Sequence, residues 1–236
     1  MAIASIDEAL AALGVSRETL TQEETAALDR DGCVMLRGLI AVDRIASLRE
    51  RFERAVRPHE EWPYPRDAGM RYAMLDKDAA FREVCLSPRA LACAQHLFGR
   101  RFFLNSFEGR EPREGRGQQN LHRDCPDPLG TGHVVTMLAF LDSFGPANGA
   151  TRLIPGSHAN DDPLPHSDPR EIVIAGKAGD ALLFDARLVH SGTRNVSGAP
   201  RRTLIAAYHG YEQYATRFFK LEAPDAPEAV RFVLGA

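Results

Sequence analysis

The sequence predicts a mainly β fold with flanking helices: an antiparallel sandwich or barrel preceded by a largely helical N-terminal part. Three observations carry that prediction. From residue 101 onward, short β-rich runs alternate with Gly, Pro and Asn turns. Before that point, apolar residues recur at helical spacing. The 236 residues suit one domain, and a chain of that length buries roughly 70–75% of its unfolded surface. The expected division is residues 1–100 largely helical, 101–210 the β core and 211–236 a C-terminal extension, all within a single domain 1–236.

In chain order, Thr21 and Glu24 of TQEETAALDRDG form a capping box, and Gly32 closes the helix they open. CVMLRGLI (33–40) is a short β run. In AVDRIASLRERFERAV (41–56), Val42, Ile45, Leu48, Phe52 and Val56 are apolar with charges between them, which predicts an amphipathic helix. A polar stretch with aromatics follows (57–74). DAAFREVCLSPRALACAQHLFG (78–99) reads as one or two helices interrupted at Pro88. The β runs are RFFLNSF (101–107), HVVTMLAFL (133–141), ATRLIP (150–155), EIVIA (171–175), ALLFDARLVH (181–190) and RTLIAAYHG (202–210). EGREPREGRGQQ (108–119), rich in charge and glycine, is expected to be a solvated, mobile connection or a substrate-contacting lid.

A formal net charge of -3 leaves no basic footprint for nucleic acid or anionic lipid. No apolar run approaches the roughly 18 residues of a membrane span. The N-terminal MAIASIDEALAALG carries acids and does not read as a signal peptide. The C-terminal RFVLGA carries no retention or peroxisomal address. Cys33, Cys85, Cys93 and Cys125 lack the paired spacing of a zinc site. They are expected as reduced thiols in a cytoplasmic protein. Cys125 adjoins Asp124 but has no local base, so it is read as a neighbour rather than a nucleophile.

The chemistry is expected at Asn120-Leu-His-Arg-Asp. In an extended segment His122 and Asp124 point one way and Arg123 the other. Such a pair either hydrogen-bonds internally or shares a metal. The second β half supplies a partner: ALLFDARLVH ends at His190. Two imidazoles and a carboxylate leave three positions open on an octahedral metal, the arrangement of non-haem Fe(II) oxygenases. NVSGAP then turns the chain, so the next strand is expected to run back beside the one carrying His190. Arg201 and Arg202 open that strand facing opposite ways. One of them points inward, suited to holding a carboxylate through two hydrogen bonds; the other belongs to the surface.

These blocks, in this order, resemble the phytanoyl-CoA dioxygenase family of Fe(II)/2-oxoglutarate-dependent oxygenases over about residues 20–210. LDRDGCVMLRGLI resembles its N-terminal opening, and LHRD its His-x-Asp. NGATRLIPGSH (148–158) resembles its Asn-Gly turn and Pro-Gly-Ser-His signature, and AGDALLFDARLVHSG the strand pair bringing the distal histidine. The resemblance implies a double-stranded β-helix (jelly-roll, cupin-like) core with N-terminal helices packed on it. It implies Fe(II) held by His122, Asp124 and His190, with 2-oxoglutarate and dioxygen as cosubstrates. The family arginine eleven positions past the distal histidine is Arg201, which would take the C5 carboxylate. Asn120, Thr151 and Met137 fall at positions that touch the cosubstrate in some relatives. Gly192 stands where some carry a serine, and His158 is read as structural. Related halogenases lack the carboxylate ligand, so Asp124 implies hydroxylation or another oxidation, with release of succinate and carbon dioxide.

The partner is expected to be a small molecule (natural-product, amino-acid-like or acyl), with no nucleic acid or membrane, and the protein a monomer or homodimer. Trp62, Tyr64, Arg71 and Tyr72 are candidates for a pocket wall, and Arg110, Arg113 and Arg116 for contact with an anionic substrate. Two other readings share the residues. A cupin-like metal-dependent dioxygenase that chelates its substrate directly has no use for Arg201. A non-catalytic jelly-roll binding module has no use for the triad.

Overall fold

The computed structural model describes residues 3–62, 67–124, 133–217 and 220–235. Helices α1 (Ile6–Ala12) and α2 (Gln22–Asp31) open the chain. The capping box forms: Glu24 N donates to Thr21 Oγ1 at 3.2 Å, and Thr21 N donates to the Glu24 carboxylate at 2.9 Å. Strand β1 (Cys33–Leu36) leads to α3 (Val42–Ala55), which buries Ile45, Leu48 and Phe52. Val42, in the first turn, stays exposed. After β2 (Val56–Arg57) and β3 (Met70–Ala73) come α4 (Ala79–Cys85) and α5 (Pro88–Phe98). Pro88 separates the two helices by starting the second, where its missing N–H costs nothing.

The β core follows as β4 (Phe102–Pro112), β5 (Val134–Phe140), β6 (Thr151–Leu153), β7 (Ile172–Val173), β8 (Ala181–Asp185), β9 (His190–Gly192) and β10 (Thr203–Gly210). A short α6 (Glu228–Val233) ends it. Seven strands form one sheet in the order β1-β8-β5-β10-β4-β3-β2, and three form a second in the order β7-β6-β9. All their pairings are antiparallel. This is the jelly-roll core that the motif order implied.

Two local expectations are corrected. The run 108–119 is not all loop, because β4 continues to Pro112 and pairs with β3 and β10. The strand after NVSGAP does not lie beside that of His190. β9 pairs with β6 in the small sheet, while β10 pairs with β4 and β5 in the large one. A jelly roll sends the chain across from one sheet to the other here, where a hairpin would keep it in one.

Alternation gives the large sheet two faces. Val135, Met137, Ala139, Leu183, Leu204, Ala206 and Tyr208 pack in one cluster with the helices, including Leu48 and Phe52 of α3 and Leu91 of α5. Burying each large side chain of this kind contributes about 1.5–3 kcal/mol. The other face carries Leu138, Phe140, Leu182 and Phe184, which pack against Leu153 of the small sheet and Leu188. Beyond that apolar cluster the same face opens into a cavity of about 670 Å³.

Candidate active site

Residues from both sheets line the cavity, and His122, Asp124 and His190 meet in it. The segment carrying His122 is held to β9 by a bridge at His122 and His190 and by Gln119 N, which donates to Gly192 O at 3.0 Å. His122 N donates to His190 O and His190 N to His122 O, both at 3.0 Å. Asp124 N donates to Ala186 O at 3.0 Å. Those bonds set two imidazoles with centroids 4.5 Å apart and bring one ligand atom from each residue to within 4.8 Å of the others. His190 starts β9 rather than ending a strand, since residues 186–189 form the crossover between sheets.

The histidine tautomers are fixed from behind. His122 Nδ1 bonds to the carbonyl of Asn120 and His190 Nδ1 to that of Leu188, both at 2.8 Å. A carbonyl only accepts, so each Nδ1 carries the proton and each Nε2 lone pair is left for the centre. Both Nε2 atoms face the same carboxylate, at 3.6 Å for His122 and 3.4 Å for His190. Burial pushes the Asp124 carboxyl up, but the two histidines outweigh it and hold it well below the usual carboxylate range. The Asp124 contact likewise raises His122 above 6.5, against burial. Carbonyl-oriented imidazoles converging with an ionised carboxylate fit a divalent metal of the facial-triad type.

Support comes from residues that the spacing did not single out. Arg123, between the two ligands, faces outward and gathers main-chain carbonyls. It donates to Arg187 O at 2.9 Å, Asp162 O at 3.0 Å and Asn160 O at 3.3 Å. Ser157 of the Pro-Gly-Ser-His turn accepts from Val189 N at 2.8 Å, which fastens the residue before His190. Phe184 packs edge-on against the His190 ring at 4.8 Å. His158 is buried against Gly32 and stays out of the centre.

Arg201 and Arg202 divide as their adjacency predicts. Arg202 pairs with Asp142 through Nε at 2.8 Å and Nη2 at 2.9 Å, and with Glu53 at 3.1 Å. It is a half-buried clamp rather than a simple surface residue. Arg201 is 7% exposed, lines the cavity, and its Nε has no partner. Its guanidinium lies 4.7 Å from the Phe144 ring centroid. Burial pushes it down to about 10, so it remains charged at neutral pH. A buried cation without a carboxylate is costly unless a ligand supplies one.

The remaining expected contacts separate. Thr151 is buried and lines the cavity. Met137 does not: Thr136 and Leu138 face the cavity, so alternation turns Met137 to the helices, 4.0 Å from Tyr208 Oη. Asn120 is exposed and serves through its carbonyl. Its neighbour Gln119 lines the cavity instead and accepts from Gly192 N at 3.1 Å. Gly192 has no room for a serine, because a Cβ would fall 2.5 Å from the Gly117 carbonyl. Trp62, Tyr72 and Arg110 line the cavity, whereas Arg71 bonds to Glu53 and Glu111. Arg113 and Arg116 are exposed and do not line it. Tyr64 and Cys125 lie outside the described residues.

Known proteins resemble this chain in sequence or in fold. Dioxygenase aneA of Aspergillus aculeatus is 31% identical over 196 residues, 72% of this chain and 65% of its own length. Dioxygenase af480 of Aspergillus fumigatus is 30% identical over 153 residues, 61% of this chain and 50% of its own. The chain thus spans half to two thirds of these relatives. HygX of Streptomyces hygroscopicus, crystallised with nickel, 2-oxoglutarate and hygromycin B, superposes with a TM-score of 0.66 at 19% identity, covering 81% of this chain and 88% of that one. The epimerase SnoN, crystallised with Fe3+, alpha-ketoglutarate and nogalamycin RO, superposes at 0.64 and 21%, covering 92% of each. The family model for phytanoyl-CoA dioxygenase (PhyH) matches residues 28–203. By that match over most of its length, the chain belongs to the phytanoyl-CoA dioxygenase family.

Proposed function

We propose that the protein is an Fe(II)- and 2-oxoglutarate-dependent dioxygenase that hydroxylates an unactivated C–H bond of a small molecule. The observation that carries this reading is Arg201: a buried, charged guanidinium in the same cavity as the triad, with no ion pair to a carboxylate among the described residues. An enzyme that chelates its substrate directly has no need of it. The solved structures of similar fold that hold a metal with 2-oxoglutarate agree with it.

His122, Asp124 and His190 would hold the iron, and Arg201 the distal carboxylate of 2-oxoglutarate, with the Thr151 hydroxyl beside it. When bound, the iron would activate dioxygen with 2-oxoglutarate as the electron donor, one oxygen atom going to succinate as the 2-oxo acid loses carbon dioxide and the other to the substrate. This chain's own contribution is orientation. The Asn120 and Leu188 carbonyls hold the neutral rings in the tautomer that turns both Nε2 atoms to the centre, and Arg123 holds the loop between the ligands. Among the described residues no helix is long and apolar enough to cross a membrane, and Cys33, Cys85 and Cys93 are buried and unpaired. The free thiols favour a reducing, cytoplasmic setting.

The test is succinate formation from 2-oxoglutarate with added Fe(II) and oxygen. Slow, iron-dependent succinate release is expected even without substrate, and Asp124→Ala is expected to lose it. Iron binding with no succinate at any 2-oxoglutarate concentration would point to direct substrate chelation instead.

A further inference from the structure

Arg110 is one of three cations that line the cavity, with Arg201 and Lys220, and neither the metal nor 2-oxoglutarate accounts for it. Its position depends on an irregularity in β4. Ala207 of β10 pairs with Ser106, but the next residue, Tyr208, pairs with Leu104, so Asn105 is bulged out. Phe102 and Leu104, before the bulge, pack in the cluster shared with the helices. After it the parity is reversed, and Ser106, Glu108 and Arg110 line the cavity. A bulge re-aims every side chain beyond it. Gly109, between the two charged residues, locks the reversed register. A Cβ there would fall 2.4 Å from the Phe52 ring of α3 and 2.8 Å from Ala73 Cβ.

Glu108 then fixes the arginine, accepting from its Nε at 2.5 Å. The terminal nitrogens of Arg110 bond to nothing among the described residues. Its side chain keeps 36% of its surface open, and that surface opens into the cavity. Burial opposes its charge, while Glu108 and Asp124 favour it. Its own charge acts in turn on His122 and Arg201. Arg110 is thus oriented by one carboxylate, lies within the field of the metal ligands, and is left with a fork of unused donors. The cavity lining is more apolar than polar, with Trp62, Met70, Tyr72, Met74 and Leu221 in its walls beside the charged Asp67, Asp76 and Lys220. The Trp62 and Tyr72 rings meet edge to face at 5.6 Å.

We propose that Arg110 binds and orients the substrate, and that the substrate is a bulky, mainly apolar molecule presenting an acceptor oxygen (carbonyl, amide or carboxylate) to the Arg110 fork. A guanidinium donates and never accepts, so the same body carrying only a donor, such as an ammonium group, binds poorly. The inference rests on the iron and 2-oxoglutarate reading for the reaction itself. The binding claim is tested separately.

Trp62 is the chain's single tryptophan and lines the cavity, so its emission reports occupancy without iron or turnover. The probes are adamantane-1-carboxamide, adamantane-1-carboxylate and 1-adamantylamine, none of which absorbs where tryptophan is excited. In the full-length protein the carboxamide or the carboxylate is expected to give a saturable change below millimolar concentration. The amine is expected to bind at least tenfold more weakly. Arg110→Met is expected to weaken the oxygen-bearing probe at least tenfold while 2-oxoglutarate affinity, followed by the visible band of its iron complex, stays within twofold. Arg201→Met is expected to do the reverse. Arg110→Met leaves Glu108 without this arginine, so the double variant Glu108→Gln/Arg110→Met, which removes both charges, is expected to show the same loss. The proposal is overturned if the Arg110 variants bind the probe as the parent does, if the amine binds as tightly as the carboxamide, or if neither oxygen-bearing probe saturates. If the parent protein gives no 2-oxoglutarate band, the cofactor reading fails, and the Trp62 titrations still decide the role of Arg110.

Discussion

On one face of the seven-stranded sheet, Met137, Leu183, Leu204, Ala206 and Tyr208 are sealed under the helices; on the other, Thr136, Glu108, Arg110 and His209 border a cavity. The same strands build both faces. On the helix face Tyr208 Oη donates to Cys85 O at 2.5 Å. Beside the cavity, Arg201 is left with an unbonded Nε, and Arg110 with open terminal nitrogens. The contrast separates residues that hold the fold from residues kept for a ligand. A buried cation without an ion pair, as Arg201 is among the described residues, weakens a fold, so its presence calls for an occupant.

Substitutions on the two faces should therefore fail in different ways. The largest effect is expected from His122→Ala. Losing even a supporting contact of a metal site costs roughly 10–100-fold in affinity, and losing a ligand costs more. Calorimetric iron titration should show loss of binding, while the thermal midpoint of the metal-free protein changes little. Next comes Leu183→Ala on the helix face. It is expected to cost about 2–5 kcal/mol of stability by opening a cavity, seen in urea unfolding, with 2-oxoglutarate affinity intact in the folded fraction.

Arg201→Met should show the opposite pattern. Loss of a charge-assisted pair is expected to weaken 2-oxoglutarate by about 1.5–3 kcal/mol, roughly 10–100-fold. The metal-free protein should be no less stable, because an unpaired buried charge has gone. A smaller effect follows from protons competing for His122. Its affinity for protons is raised above the ordinary 6.5 by Asp124, and only the neutral ring binds metal. Iron affinity should thus fall as pH drops through a window that begins above 6.5, by up to about tenfold per pH unit. The smallest change is expected from Met137→Leu. It should cost less than about 1.5 kcal/mol and leave 2-oxoglutarate affinity untouched, which would separate this face from the cosubstrate.

Much of the site was legible because its signals are local. His122 and Asp124 share a face through two-residue spacing, and Arg201 and Arg202 diverge because they are adjacent. The helix boundaries at Thr21, Gly32 and Pro88 are equally local. What stayed hidden depends on register between distant strands. The bulge at Asn105 exchanges the two faces of β4 with no mark in RFFLNSFEGREP, so Glu108 and Arg110 read as loop. Met137 was misplaced by one position, which in a strand means the wrong face. The crossover after His190 looked like a hairpin, because a turn sequence does not say which sheet receives the next strand. Arg123 was recognised only as the residue facing away, although its carbonyl contacts make it the fastening of the site.

The central claim is that His122, Asp124, His190 and Arg201 form one working site for iron and 2-oxoglutarate. Fe(II) added to the metal-free protein without oxygen, followed by 2-oxoglutarate, tests it most directly through the weak visible charge-transfer band of a chelated 2-oxo acid. The band is expected to saturate in the parent protein, to need much more 2-oxoglutarate in Arg201→Met and to be absent in His122→Ala. Iron binding without a band would contradict the cosubstrate assignment. A band of unchanged affinity in Arg201→Met would contradict the role given to that arginine.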